Sequence, residues 1–146
     1  YVKIATQMLR GLKNKIKSIL SQEYIIHEIA GVLDSDRLLF TGTNVDFAVA
    51  IYAGELLQSG KCISSSIPLS QLNSEYRDNF SIIALASNLD FYNLIGSADD
   101  FRLKIVSSGV SALDENTLTY DESIPLLNPI LSSVAVQMIA YVKQNG

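Results

Sequence analysis

The chain has 146 residues, 48% of them hydrophobic and 18% charged, with a formal net charge of −4. That is the size and apolar content of one ordinary domain that buries a core without disulfides or metals, and a single cysteine, Cys62, excludes a disulfide framework and fits a reducing cytoplasm. No apolar run reaches the roughly 18 residues that span a bilayer, and no signal peptide opens the chain, so the expectation is a soluble, cytoplasmic protein without membrane contact. The first residue is Tyr1 rather than methionine, which keeps a larger parent protein in play.

The charge is unevenly placed. Lys3, Arg10, Lys13, Lys15 and Lys17 give the first twenty residues +5 with no acid, so the remainder carries −9 to reach the total of −4. An acidic body argues against nucleic acid as a partner, and five cations on one helix fit a solvated face.

Ile4, Met8, Leu12, Ile16, Ile19 and Leu20 recur at helical spacing, which predicts an amphipathic helix over about 3–20. Ser21 is placed to cap a second helix from about Gln22, with Tyr24, Ile25, Ile26, Ile29, Ala30 and Leu33 as its apolar contacts. From residue 37 the texture changes to short apolar runs ending in small polar residues: Arg37 to Phe40, Lys61 to Ser64, Ser81 to Ala86, Arg102 to Val106 and Leu118 to Tyr120. These predict five strands. An apolar helix around Phe47 to Ala53 lies between the first two, and a final helix runs from Pro129 to Lys143. Alternation of this kind predicts an α/β domain over 1–146: two helices in 1–36, then a doubly wound, three-layer α/β/α fold in 37–146 with a five-stranded parallel sheet. No repeat, linker or low-complexity segment divides it.

Ligands of such sheets bind beyond the carboxyl ends of the strands, where strand order reverses. There the sequence offers Thr41-Gly42-Thr43-Asn44 leading into the helix from about Asp46, Ser64-Ser65-Ser66 at the expected end of the second strand, and Ser87-Asn88 after the third. Hydroxyls, amides and a helix N-terminus suit a phosphate and sugar hydroxyls. The same residue types are also ordinary turn and capping residues, and both readings stand at this point.

Other chemistries have little to rest on. His27, the only histidine, falls inside the second predicted helix, and a zinc site lacks ligands. Neither a G-x-G-x-x-G nor a G-x-x-x-x-G-K-[ST] loop is present, so no cofactor is expected. A flavodoxin-like carrier binding a flavin phosphate at Thr41-Gly42-Thr43-Asn44 is disfavoured by the two helices before the first strand.

Met8-Leu9-Arg10-Gly11-Leu12 with Lys15-Ile16 and Ile19-Leu20, then Leu39-Phe40-Thr41-Gly42-Thr43-Asn44 and the helix Phe47 to Leu57 are carried in order along the chain. Together with Pro125-Leu126-Leu127-Asn128-Pro129-Ile130 and Val136-Gln137-Met138-Ile139-Ala140-Tyr141, they resemble the SIS (sugar isomerase) domain family. Within it, the likeness is to the second SIS domain of glucosamine-6-phosphate synthases. The resemblance implies the flavodoxin-like SIS topology and a hexose phosphate or amino-sugar phosphate ligand. It also implies a homodimer or a tandem SIS partner.

The departures bear on activity. Where the family carries a lysine and, three residues later, the glutamate that shuttles a proton between sugar carbons, this chain has Leu56 and Ser59. Glu55 and Glu75 are the remaining weak candidates for a base, Glu75 falling near the position of the family's ring-opening histidine. A positioned base contributes roughly 10² to 10⁴-fold, so isomerisation by this domain alone is not expected. Two readings follow. One is a sugar-phosphate-binding component whose chemistry needs a partner; the other is a non-catalytic sensor or dimerisation module with the same fold.

Overall fold

The computed structural model describes residues 2–32, 36–58, 63–86, 103–108, 117–120 and 128–145. Two helices come first, α1 over Val2–Leu20 and α2 over Glu23–Val32. The apolar stripe of α1 does two different things along its length. Leu12, Ile16 and Ile19 pack on the core, whereas residues 2–10 are all exposed. Ser21 does not cap α2 as expected. Its hydroxyl donates back to the Ser18 carbonyl at 2.8 Å, satisfying a carbonyl at the end of α1, and the Ile26 amide bonds to the Gln22 carbonyl instead.

Strands β1 (Arg37–Gly42), β2 (Ile63–Pro68), β3 (Ser81–Ala86), β4 (Leu103–Ser108) and β5 (Thr117–Tyr120) pair in parallel in the order β2-β1-β3-β4-β5. Parallel neighbours need long crossovers, and helix α3 (Asn44–Leu57) supplies the one from β1 to β2. A 3-10 turn at Leu69–Gln71 and the short helix α4 (Ser74–Asn79) lie between β2 and β3, and helix α5 (Asn128–Asn145) closes the chain. This is the α/β class that the alternating texture predicts.

Side-chain alternation splits the core in two. Leu38 and Phe40 of β1, with Ile83 and Leu85 of β3, share one cluster with residues of α1, α2, α3 and α5. Leu39, Ile82, Ala84 and Ala86 point the other way, where Ile67, Leu69, Leu72, Tyr76 and Phe80 cover them. Both faces of β1 and β3 are therefore buried, which is why these strands read as continuous apolar runs rather than alternating ones. The edge strand β2 is different: its sequence is Ile-Ser-Ser-Ser-Ile-Pro, and an edge position tolerates the missing N–H of Pro68.

Two strand boundaries shift the expected site. β1 runs on through Thr41 and Gly42, which pair with Ile67 and Pro68 of β2. β2 begins at Ile63, so Ser64, Ser65 and Ser66 lie in its body and not beyond its end. Helix α4 has too few residues for an apolar period and was not foreseen; its start is fixed by Asn73, whose side chain accepts a bond from the Tyr76 amide at 3.2 Å. Among the described residues, no helix is long and apolar enough to cross a membrane.

Candidate functional site

Strand order places β2 on one side of β1 and β3 on the other. Leaving β1, the chain turns into α3 toward β2, so the reversal point of the sheet lies at the carboxyl ends of β1 and β3. Four residues occupy that edge of β1. Thr41 and Gly42 end the strand, Thr43 is the N-cap of α3, and Asn44 is the first helical residue.

Gly42 is there because nothing larger fits. A Cβ on it would stand 2.8 Å from the carbonyl carbon of Asp46, 2.9 Å from its oxygen and 2.9 Å from the Leu85 carbonyl oxygen, all main-chain atoms that cannot swing aside. The bare backbone lets α3 start directly over the β1–β3 seam. Asn44 makes the turn possible with φ of 50°, a left-handed conformation in which asparagine is among the better-tolerated residues. Thr43 does not use its side chain as a cap, and its carbonyl accepts from the Asp46 and Phe47 amides at 2.9 and 3.4 Å. By helix geometry the Asn44 and Val45 N–H groups have no partner within α3 and face the edge.

Two further groups set the electrostatics. Asp46 is buried in the first turn, so one carboxylate of the chain itself already sits at the positive end of the helix. Thr41 is fully buried, and its Oγ1 has no hydrogen-bond partner. An unpaired buried hydroxyl costs about 1–3 kcal/mol. It points to the sheet face away from α3, in register with Ile67 and Ala84.

The serines of β2 have other work. Ser64 Oγ donates to the Gly54 carbonyl and Ser66 Oγ to the Ala50 carbonyl, each at 3.0 Å, so both hydroxyls tie β2 to α3. Gly54 makes room for them, since a Cβ there would stand 2.6 Å from Ser66 Oγ. Ser65 is exposed on the opposite face of the strand. Ser87 and Asn88 lie outside the described residues, as do Ser59 and Cys62. The structure thus gathers Thr41, Gly42, Thr43 and Asn44 and holds Ser64 and Ser66 apart from them. Asp46 and Gly54 were missed; the small residues facing serines at matching spacing were the available signal for Gly54.

The acids considered as bases are remote from this edge. α3 runs back along the sheet, Ser66 reaching Ala50 and Ser64 reaching Gly54, which carries Glu55 about 16 Å along the helix axis from Asn44. Glu55 is exposed in the last turn beside exposed Leu56, and Glu75 is exposed in the first turn of α4. His27 is exposed on α2, and among the described residues no group of three or more His, Cys, Asp or Glu side chains could hold a metal.

This strand order, with a helix starting at the reversal point, defines an SIS-like, flavodoxin-like fold. The C-terminal domain of glucosamine-fructose-6-phosphate aminotransferase from Francisella tularensis has the same fold, with a TM-score of 0.71 at 16% identity over 95% of this chain and 44% of that one. A Salmonella typhimurium LT2 protein described as sugar-binding superposes with a TM-score of 0.64 at 12% identity, over 94% of this chain and 45% of that one. The chain spans less than half the length of either. No family profile and no curated protein sequence matches it.

Proposed function

We infer that residues 1–146 form one SIS-type domain that binds a hexose phosphate or amino-sugar phosphate at the carboxyl edge of β1 and does not isomerise it unaided. The observation that carries this reading is the buried, unpartnered Thr41 hydroxyl at the reversal point of the sheet, next to Gly42. A polar group left unpaired in a well-packed seam costs stability and is repaid when a ligand oxygen reaches it. Affinity is weak in this reading, because Asp46 already fills the positive end of α3 and no lysine or arginine lies among the four edge residues. The missing chemistry follows from position: Glu55 sits far down α3, and Leu56 stands where the resembled family has its lysine.

Titration calorimetry with glucose 6-phosphate and glucosamine 6-phosphate tests the binding. Wild type is expected to bind in the high micromolar to millimolar range, and Thr41→Val to bind at least tenfold more weakly while gaining about 1 kcal/mol of stability. A Thr41→Val variant that binds as wild type does overturns the site. Proton exchange at the sugar's second carbon, followed by NMR in heavy water, is expected to stay at the uncatalysed rate.

A second reading keeps the fold and drops the ligand, leaving a sensor or pairing module, with a homodimer or a tandem domain as its context. It is favoured by the use of Ser64 and Ser66 as fasteners for α3 and not as ligand donors.

A further inference from the structure

The hydroxyl on which the ligand reading rests is sealed. Thr41 is 0% exposed, so no ligand oxygen meets its Oγ1 in this conformation, and what covers it must give way first. The two faces of the sheet are covered by layers held in different ways. On the α3 side, Gly42 is pressed against main-chain atoms of Asp46 and Leu85, Ser64 and Ser66 bond to α3 carbonyls, and α3 lies close along β1 and β2. That layer consists of α1, α2, α3 and α5, and Ile19, Ile29, Ala50 and Ala53 within it are completely buried.

Thr41 points to the other face. Among the described residues, that face is covered by Ile67 and by the strap that follows β2, the 3-10 turn and α4 through to Phe80. Leu69, Leu72, Tyr76 and Phe80 of the strap pack inward, and each is only half-buried; Ser70, Gln71, Asn73 and Glu75 are exposed. The bonds that shape the strap are local: the Leu72 amide donates to the Leu69 carbonyl at 3.1 Å, the Tyr76 amide to Asn73 Oδ1 at 3.2 Å and the Phe80 amide to the Tyr76 carbonyl at 2.9 Å. The rings of Tyr76 and Phe80 contact each other at 6.0 Å between centroids. Pro68, Leu72, Asn73 and Phe80 have extended backbone, which makes them joints between the short rigid pieces. Because Pro68 pairs with Gly42, the strap leaves β2 at the level just past Thr41.

We propose that Leu69–Phe80 is a lid over Thr41: it lifts about its extended joints to admit a ligand oxygen to Oγ1 and settles back over the bound ligand, while the α3 side stays fixed. The inference rests on the ligand reading above and adds how that site opens. Its direction follows from the two layers. Lifting the strap parts four half-buried side chains from the sheet and leaves the bonds within the strap intact, whereas lifting α3 breaks the Ser64 and Ser66 bonds and exposes completely buried residues. Segments that open to admit ligands come from the least buried parts of a fold.

Thiol labelling reads the opening without any ligand. In a Cys62→Ser background, Thr41→Cys puts a thiol under the strap and Val49→Cys puts one under α3, both at buried positions, with folding checked by circular dichroism melts. Under native conditions, iodoacetamide is expected to modify Thr41→Cys about a hundredfold faster than Val49→Cys. Adding Leu72→Ala, which removes one of the strap's inward side chains, is expected to speed Thr41→Cys about tenfold more than it speeds Val49→Cys. Equally slow labelling of both thiols, at the rate of global unfolding, overturns the lid. If Thr41→Cys does not fold, amide exchange of the wild type stands in: the Leu72, Tyr76 and Phe80 amides should exchange about a hundredfold faster than the Ala53 amide and slow about tenfold in millimolar glucosamine 6-phosphate, and protection equal to that of Ala53 overturns the lid. Calorimetry separates the two readings. Slow labelling together with binding that Thr41→Val weakens removes the lid alone, and fast labelling without binding removes the ligand and leaves the lid.

Discussion

The two ends of α3 meet the sheet through a glycine each, and the contacts are of opposite kinds. At the start, Gly42 presses against main-chain atoms of Asp46 and Leu85, none of which can move without shifting a helix or a strand. Near the other end, Gly54 faces the tip of one side chain, Ser66 Oγ, which can rotate away. The carboxyl edge of β1 is therefore held rigidly and the amino-edge end of α3 adjustably. A site that must hold a ligand oxygen in place belongs at the rigid end, where Thr41 also lies.

Gly42→Ala breaks this comparison if it is mild. We expect it to cost about 3 kcal/mol, the upper range for forced overpacking, and to lower the midpoint of thermal unfolding by about 10 °C. Gly54→Ala should cost about 1 kcal/mol, mainly through the displaced Ser66 bond, and the same substitution placed on Ser66→Ala should stabilise by about 0.5 kcal/mol, because alanine is the better helix residue once the obstacle is gone. A cost for Gly54→Ala that persists without the Ser66 hydroxyl would show that the helix end is rigid after all. Of the single substitutions the smallest effect is expected for Ser64→Ala, about 0.7 kcal/mol by urea denaturation, since one part-buried bond to the Gly54 carbonyl is lost.

Much of the fold is legible in the sequence where burial is simple. β1 and β3 are covered on both faces and announce themselves as apolar runs, and the period of α1 is clear even though half of its stripe is exposed. Legibility fails where a polar residue does a packing job. The strand body of β2 carries serines because their hydroxyls bind α3 carbonyls, and a pattern search for apolar runs moves such a strand toward its neighbours and leaves the serines at its tip. Ser21 misleads for a related reason, its hydroxyl finishing one helix instead of starting the next. At the candidate site, Thr41-Gly42-Thr43-Asn44 was legible as a turn into a helix, but the unpaired state of one hydroxyl depends on what packs above it and has no signature in the residue string. The remoteness of Glu55, by contrast, is legible in the sequence, since the helical rise from Asn44 puts it about 16 Å along the axis.

The parallel order of the sheet also governs how the chain reaches this state. No two neighbouring strands form a hairpin, so each pairing must wait for a crossover to close: Arg37 meets Ile63 only after α3 has folded back, and Leu38 meets Ser81 only past α3, β2 and α4. Loop entropy makes the first closure the cheaper one. The unit of β1, α3 and β2, clipped by Ser64 and Ser66, is then the expected nucleus, with β3 docking on the free side of β1 afterwards. In refolding kinetics, Ser66→Ala should slow folding, whereas Leu85→Ala should chiefly speed unfolding; the reverse pattern would place the nucleus at the β1–β3 seam. On this order of events, the seam that carries the candidate site is closed by a late step, and the rigidity at Gly42 is acquired only when the central pair of strands comes together.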